Sequence, residues 1–228
     1  MPKLERRRVI DEILGTGLIP VFHSGVSEVA RSVVEACHGG GARVVEFTNR
    51  GDRAYDVFSA LSEWCAGELP DVVLGAGTII DLGTAASYIN AGAAFVVGPS
   101  FNRGVAGLCN RRRVLYIPGC QTPTEITEAE EMGAAIIKLF PASTLGPRFV
   151  KSILGPMPHT QLMPSGGVKA NRDDITAWIG AGAVALNIGS DLIRRDLVEG
   201  GMYGEIKEKV ERCIVWISEA KSAGGQTG

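Results

Sequence analysis

The sequence has no pair of cysteines at C-x-x-C spacing. Its five cysteines (Cys37, Cys65, Cys109, Cys120 and Cys213) are odd in number and widely scattered, so neither a disulfide framework nor a zinc site is expected. No apolar run approaches the roughly 18 residues that a membrane span requires, and the N-terminal stretch MPKLERRRVIDEIL carries charge without an apolar signal core. The expectation is a cytoplasmic protein in a reducing compartment, with no membrane partner. An excess of one charge is also missing. Lys and Arg total 23 against 25 for Asp and Glu, a net charge of -2, which gives no field for general binding to a nucleic-acid backbone. Only three histidines occur (His23, His38 and His159), far apart, so no metal cluster is expected. No Pro- or Ser-rich linker interrupts the 228 residues, and a single domain spanning 1–228 is expected.

What is plentiful is apolar material, at 45%, enough for a sizeable core, and glycine, with 30 residues that imply many tight turns or close backbone approaches. Eight apolar, β-branched runs bounded by Gly or Pro read as strands: LIPVF from Leu18, RVVEFT from Arg43, VVLGAGT from Val72, AFVVGP from Ala94, VLYIPG from Val114, AIIKLFP from Ala135, TQLMPSGG from Thr160 and VALNIGS from Val184. Most lack polar alternation, as strands buried on both faces do. Their starts lie roughly 20 to 30 residues apart, room for a helix and two loops but too much for a hairpin, which predicts parallel pairing.

Helix signals fill the intervals. Ser27 to Cys37 places Val29, Val33, Val34 and Cys37 on one face, and Asp52 reads as the cap of a segment carrying Val57, Phe58, Leu61 and Trp64. Thr122, Pro123 and Glu125 combine a capping residue, a proline at the first helical position and an acid three residues on. Four glycines followed by alanine (Gly41, Gly92, Gly133 and Gly182) suit left-handed helix stops just before strands. Eight such βα units predict an α/β fold, a single (β/α)8 TIM barrel. A leading helix (3–14, within residues 1–17) and a C-terminal helical extension (197–228, its main helix over about 203–221) would flank it. An open doubly wound sheet is the lesser alternative, because the turn after the first strand reads HSGVSEV and not G-x-G-x-x-G.

In a barrel the active site lies where strands end, so polar residues within or just after strands are the candidates. Of seven lysines, six sit in expected helices, loops or tails; Lys138 alone stands inside a strand, between Ile137 and Leu139. An ammonium ion there costs several kcal/mol unless paired or deprotonated, and a buried amine with a lowered pKa is a nucleophile. Glu46 repeats the anomaly in the second strand, where period-2 alternation sets Val44, Glu46 and Thr48 on one face. A plain ion pair between Lys138 and Glu46 remains open at this stage, and it would raise the lysine's pKa. Glycine-rich segments follow strands seven and eight, where barrels commonly bind phosphate through backbone N–H groups; here Gly166, Gly167, Gly189 and Ser190 would donate. Other strand ends offer Arg50 for a carboxylate, with Thr78 adding a hydroxyl, although a solvated loop arginine is an equally ordinary reading.

Taken in order, V-V-E-F-T at Glu46, G-A-G-T at Thr78, G-P-S-F at Pro99, I-P-G at Gly119, I-K-L-F-P-A at Lys138, P-S-G-G-V at Gly166 and I-G-S at Ser190 carry a family likeness. Over residues 5 to 195 the chain resembles the 2-keto-3-deoxy-6-phosphogluconate / 4-hydroxy-2-oxoglutarate (KDPG/KHG) aldolases. That resemblance implies a class I aldolase acting on a small 2-keto acid through a lysine Schiff base, with no cofactor or metal, built as a homotrimer of (β/α)8 barrels. It implies Lys138 as the Schiff-base lysine, Glu46 as general acid/base, and Gly166, Gly167, Gly189 and Ser190 as phosphate ligands. Arg50 and Thr78 match positions that hold the pyruvate carboxylate, and Pro99 and Phe140 match the pocket lining. The chain departs from the pattern with T-N-R-G after the strand-two acid, Ser165 before Gly-Gly, and a longer segment beyond Asp196. Two rivals stand beside this reading: a sugar-phosphate epimerase or synthase of the same barrel type, and a non-catalytic phosphometabolite-binding barrel in which Lys138 and Glu46 simply pair.

Overall fold

Each of the eight apolar runs contributes strand, and the segments between them are helical. The computed structural model describes residues 5–224, so the parts of the expected terminal helices on residues 1–4 and 225–228 lie outside the described residues. The chain runs α1 (Arg6–Thr16), β1 (Leu18–Phe22), α2 (Ser27–Gly39), β2 (Val44–Thr48), α3 (Ala54–Glu68), β3 (Val73–Gly77), α4 (Leu82–Asn90), β4 (Phe95–Val97), α5 (Arg103–Arg112), β5 (Leu115–Ile117) and β6 (Gly119–Cys120). It continues through α6 (Pro123–Glu131), β7 (Ile137–Leu139), α7 (Ala142–Leu145), α8 (Pro147–Leu154), β8 (Leu162–Pro164), α9 (Arg172–Gly180), β9 (Leu186–Ile188), α10 (Arg195–Glu199) and α11 (Tyr203–Gly224).

The strands form a curled six-stranded parallel sheet, in the order β5-β4-β3-β2-β1-β9, and a three-stranded parallel sheet, β6-β7-β8. The fifth apolar run is divided between the two at Pro118, which has no N–H for a ladder. Before the proline, Gly98 N–H donates to Ile117 O at 3.1 Å; at the proline, its carbonyl accepts from Lys138 N–H at 2.9 Å. On the far side, Val184 N–H donates to Leu162 O at 3.0 Å, and Ser165 bridges Asn187 in parallel register.

Alternation along the strands sorts side chains into two cores. Ile19, Val44, Val73, Phe95, Leu115 and Met163 point to the inner face and cluster with Val9 and Ile13 of α1, which covers the end where strands begin. The opposite faces pack against the surrounding helices through residues such as Val45, Phe47, Leu74 and Val96. The helix α11 buries Ile206, Val210 and Ile217 and packs alongside α2 and α9, so it lies on the outer wall. Its Lys221 ammonium donates to the carbonyl of Leu14 at 2.7 Å, tying the C-terminal helix to the first. No helix among the described residues is long and apolar enough to cross a membrane.

The four Gly-Ala stops behave as expected, with φ of 96°, 105°, 83° and 107° at Gly41, Gly92, Gly133 and Gly182. Thr122 and Glu125 form a reciprocal capping box with Pro123 in the first turn. Asp52 does not cap α3: the helix begins at Ala54, whose N–H is taken by the Gly51 carbonyl at 3.2 Å, and Arg53 is the capping residue, without a side-chain bond. Gly51, at φ 84°, makes a backbone turn that supplies the acceptor an aspartate would otherwise provide. The five cysteines are free and buried. Thr122→Ala removes an acceptor from the first turn of α6 and is expected to cost about 1 kcal/mol in denaturant unfolding, with an unchanged slope.

Candidate active site

The site forms where the strands end, opposite the face that α1 covers. Two residues along from the apolar inner layer, the same alternation brings up Glu46 after Val44, Lys138 after Ile136 and Asn187 after Ala185. Three polar side chains thus share the inner face at one level. Glu46 is 1% exposed and the Lys138 side chain 8%. Their nearest approach, Nζ to Oε1, is 3.8 Å, so they form the buried ion pair left open by the sequence, at a separation beyond hydrogen-bonding distance.

Space for the carboxylate comes from a missing side chain. A Cβ on Gly77, in the adjacent strand β3, would sit 1.8 Å from Glu46 Oε1. The other oxygen, Oε2, accepts from Asn187 Nδ2 at 2.9 Å, while Asn187 Oδ1 accepts from the Ser165 hydroxyl. Among the described residues Oε1 is buried and has no hydrogen-bond partner. One carboxylate oxygen is thereby fixed, and the other faces the amine.

Burial pushes the Lys138 amine below the ordinary lysine range; the negative charge of Glu46 opposes that shift, and the positive charge of Arg50 adds to it. The desolvation effect is the largest, so the lysine is biased toward its neutral form. Its Nζ also lies 5.1 Å from the centre of the Phe140 ring.

All ten residues singled out from the sequence line a single cavity of about 700 Å³. Glu46 and Lys138 form part of its wall, together with Arg50, Thr78, Pro99 and Phe140. Gly166, Gly167, Gly189 and Ser190 contribute the loops after β8 and β9. Gly166 and Gly167 have φ of 81° and 96°, and a Cβ at either would collide with the Phe140 ring or Ser143, so both positions demand glycine. Ala142 and Ser143 donate their N–H groups to Ser165 O and Gly166 O at 2.7 and 2.9 Å, pinning this loop to the start of α7. Thr78 holds a left-handed backbone, φ 60°, unusual for a β-branched residue. Arg50 is exposed at the cavity wall, and its neighbour Asn49 accepts from Tyr88 OH at 2.8 Å, which anchors the T-N-R-G turn.

Sequence reasoning did not assign two further parts of the wall, nor a buried amide behind it. His23, with Nδ1 3.3 Å from Thr48 O, and Lys169, beside the Gly-Gly loop, both line the cavity. Asn187 carries the third buried polar side chain of the inner layer, and its signal was present: a lone amide inside VALNIGS, two residues before Gly189 and on the same face. No cluster of three or more His, Cys, Asp or Glu side chains arranged for a metal occurs among the described residues.

The chain is similar to several known proteins. A 2-dehydro-3-deoxy-phosphogluconate aldolase from Treponema pallidum is 33% identical over 190 residues, covering 83% of this chain and 88% of that protein. The KHG/KDPG aldolase of Escherichia coli K12 is 29% identical over 90% of this chain and 94% of its own. Among solved structures, a KDPG aldolase from Legionella pneumophila, with pyruvate captured as a covalent carbinolamine, superposes with a TM-score of 0.81 at 25% identity, covering 92% of this chain and 98% of that one. The model of the KDPG and KHG aldolase family matches residues 9–209, so the chain belongs to that family of aldolases.

Proposed function

We propose that the protein is a class I aldolase that cleaves 2-keto-3-deoxy-6-phosphogluconate, or a related 2-keto-4-hydroxy acid, into pyruvate and an aldehyde. The observation that carries this reading is the buried Lys138 amine held 3.8 Å from an incompletely hydrogen-bonded Glu46 in the wall of one cavity. The neutral amine attacks the C2 ketone, and loss of water leaves a protonated imine, an iminium ion. Glu46 takes the proton of the C4 hydroxyl as the C3–C4 bond breaks, and the bond's electron pair enters the iminium to give an enamine. The aldehyde departs, the proton returns from Glu46 to C3, and water releases pyruvate and regenerates the amine. The iminium is itself the electron sink, so the cycle calls for no cofactor or metal.

The remaining residues fall into two groups in this reading. Arg50 and Thr78 hold the keto acid's carboxylate, and Pro99 and Phe140 form the wall beside it. At the other end, backbone N–H groups of Gly166, Gly167, Gly189 and Ser190 take the phosphate of glyceraldehyde 3-phosphate; with glyoxylate as the aldehyde they would go unused. A Cβ at Gly189 would meet protein atoms no closer than 3.5 Å, so its bareness leaves room for a ligand.

The same proposal covers the architecture. The six- and three-stranded sheets read as one eight-stranded (β/α)8 barrel in a single domain, the break at Pro118 and the Ser165–Asn187 bridge marking where the two sheets meet. A homotrimer and a cytoplasmic setting belong to the reading as well, the latter in keeping with five free thiols, each pushed up to about 12 by burial.

Borohydride reduction in the presence of pyruvate is expected to label Lys138, as read by peptide mass spectrometry, and Lys138→Arg to abolish both the label and retro-aldol activity. A label on another lysine, or none, overturns the mechanism. The labelling rate should rise with pH through a midpoint below the ordinary lysine range. Because the Glu46 charge raises the amine's pKa and the Arg50 charge lowers it, Glu46→Gln should move that midpoint down and Arg50→Met should move it up. Arg50→Met should also raise the KM for pyruvate about ten- to a hundredfold, the effect of losing one hydrogen bond to a charged group.

A further inference from the structure

We propose that Asn187 is a positioning residue for the Glu46 carboxylate, and that Ser165 fixes Asn187 in turn. The inference rests on the aldolase reading and adds to it a chain of three side chains, from β2, β9 and the residue after β8. The Ser165 hydroxyl donates to Asn187 Oδ1, and Asn187 Nδ2 donates to Glu46 Oε2 at 2.9 Å. Both ends of the amide are committed. Turned over, it would set its carbonyl against a carboxylate oxygen, so the Ser165 hydrogen bond selects the orientation that donates to Glu46.

Ser165 is itself held by the backbone. Its N–H donates to Leu139 O at 2.9 Å and its carbonyl accepts from Ala142 N–H at 2.7 Å, which locks it between β7 and α7. Residues Ser165 and Asn187 are 5% and 1% exposed, and Glu46 is fully buried, so bulk water does not compete for these bonds. The result is a carboxylate whose plane is set by one oxygen and whose second oxygen has no hydrogen-bond partner among the described residues and stands 3.8 Å from the Lys138 amine.

The function of that arrangement is to keep the ion pair from tightening into a hydrogen bond. A carboxylate without the Asn187 bond can rotate toward Lys138 and shorten the ion pair to hydrogen-bonding distance, which would favour the protonated amine and occupy the base together. Held back by the amide, Glu46 keeps an oxygen open to a substrate proton and opposes less strongly the burial that lowers the amine's pKa. Glu46 and Arg50 are the charged groups acting on the amine, and His23 stands in the same cavity wall. Asn187 and Ser165 therefore act through Glu46.

The test is exchange of pyruvate methyl protons with D2O, followed by NMR, with borohydride labelling of Lys138 measured in parallel. Asn187→Leu, of similar size but without a donor, is expected to lower the kcat of exchange about ten- to a hundredfold, as misplacement of a catalytic group by about 1 Å does. The KM for pyruvate and the final extent of labelling should stay near those of the wild type, and the pH midpoint of the labelling rate should move upward as Glu46 approaches the amine. Ser165→Ala should lower the same kcat, and Ser165→Thr, which restores the hydroxyl, should recover most of it. If Asn187→Leu does not fold, the Ser165 pair decides. A folded Asn187→Leu with unchanged kcat and midpoint, or a Ser165→Ala no slower than Ser165→Thr, overturns the inference. A wild-type protein that neither exchanges nor labels overturns the aldolase reading beneath it.

Discussion

Everything in the site follows from the difficulty of keeping a paired amine and carboxylate close together without a hydrogen bond between them where water is scarce. Removing either charge from water costs several kcal/mol, and direct contact would be the simplest compensation. The fold avoids that solution. Gly77 clears the volume that Glu46 needs, and Asn187 satisfies one oxygen. The gap of 3.8 Å left to Lys138 is too wide for a hydrogen bond. The desolvation that would be a defect in a structural lysine lowers this amine's pKa, which is what the proposed nucleophile requires.

The fold supplies this arrangement through strand alternation. One step of the two-residue repeat separates the apolar layer of Val44, Ile136 and Ala185 from the polar layer of Glu46, Lys138 and Asn187. The lower layer, together with Val9 and Ile13 of α1, shuts out water from the end where strands start. The upper layer opens into the cavity. A one-residue slip of register would turn Glu46 outward into the helix layer, so the hydrophobic packing that fixes register also fixes the chemistry.

Much of this was legible in the sequence, for identifiable reasons. Near-continuous apolar runs at βα spacing have few other solutions, and glycine before alanine marked four helix ends because only glycine adopts those angles without strain. Lys138 and Glu46 stood out because a charge inside an apolar run is rare. Asp52 misled because a side-chain acceptor and the Gly51 carbonyl compete for the same amide, and sequence does not say which one wins. The division of the fifth run at Pro118 depends on which neighbour each half faces, a non-local matter. Asn187 escaped notice because an amide in a strand costs less than a charge, so its anomaly is weaker, and its importance lies in partners 22 and 141 residues away.

Thr78 shows how far the strand ends depart from ordinary backbone. A β-branched residue at φ 60° carries a strain of about 1–3 kcal/mol, which persists only where neighbouring bonds over-determine the chain. Those bonds are present on both sides: Gly77 O accepts from Asn49 N–H at 2.8 Å, and Ile79 N–H donates to Val97 O at 3.1 Å. The first of these ties the turn after β3 to the turn that carries Arg50. Gly77, next in the chain, is the residue whose bareness admits Glu46. A single short turn therefore sets a cavity-lining hydroxyl, braces the arginine loop and makes room for the carboxylate, so these three features can shift only together.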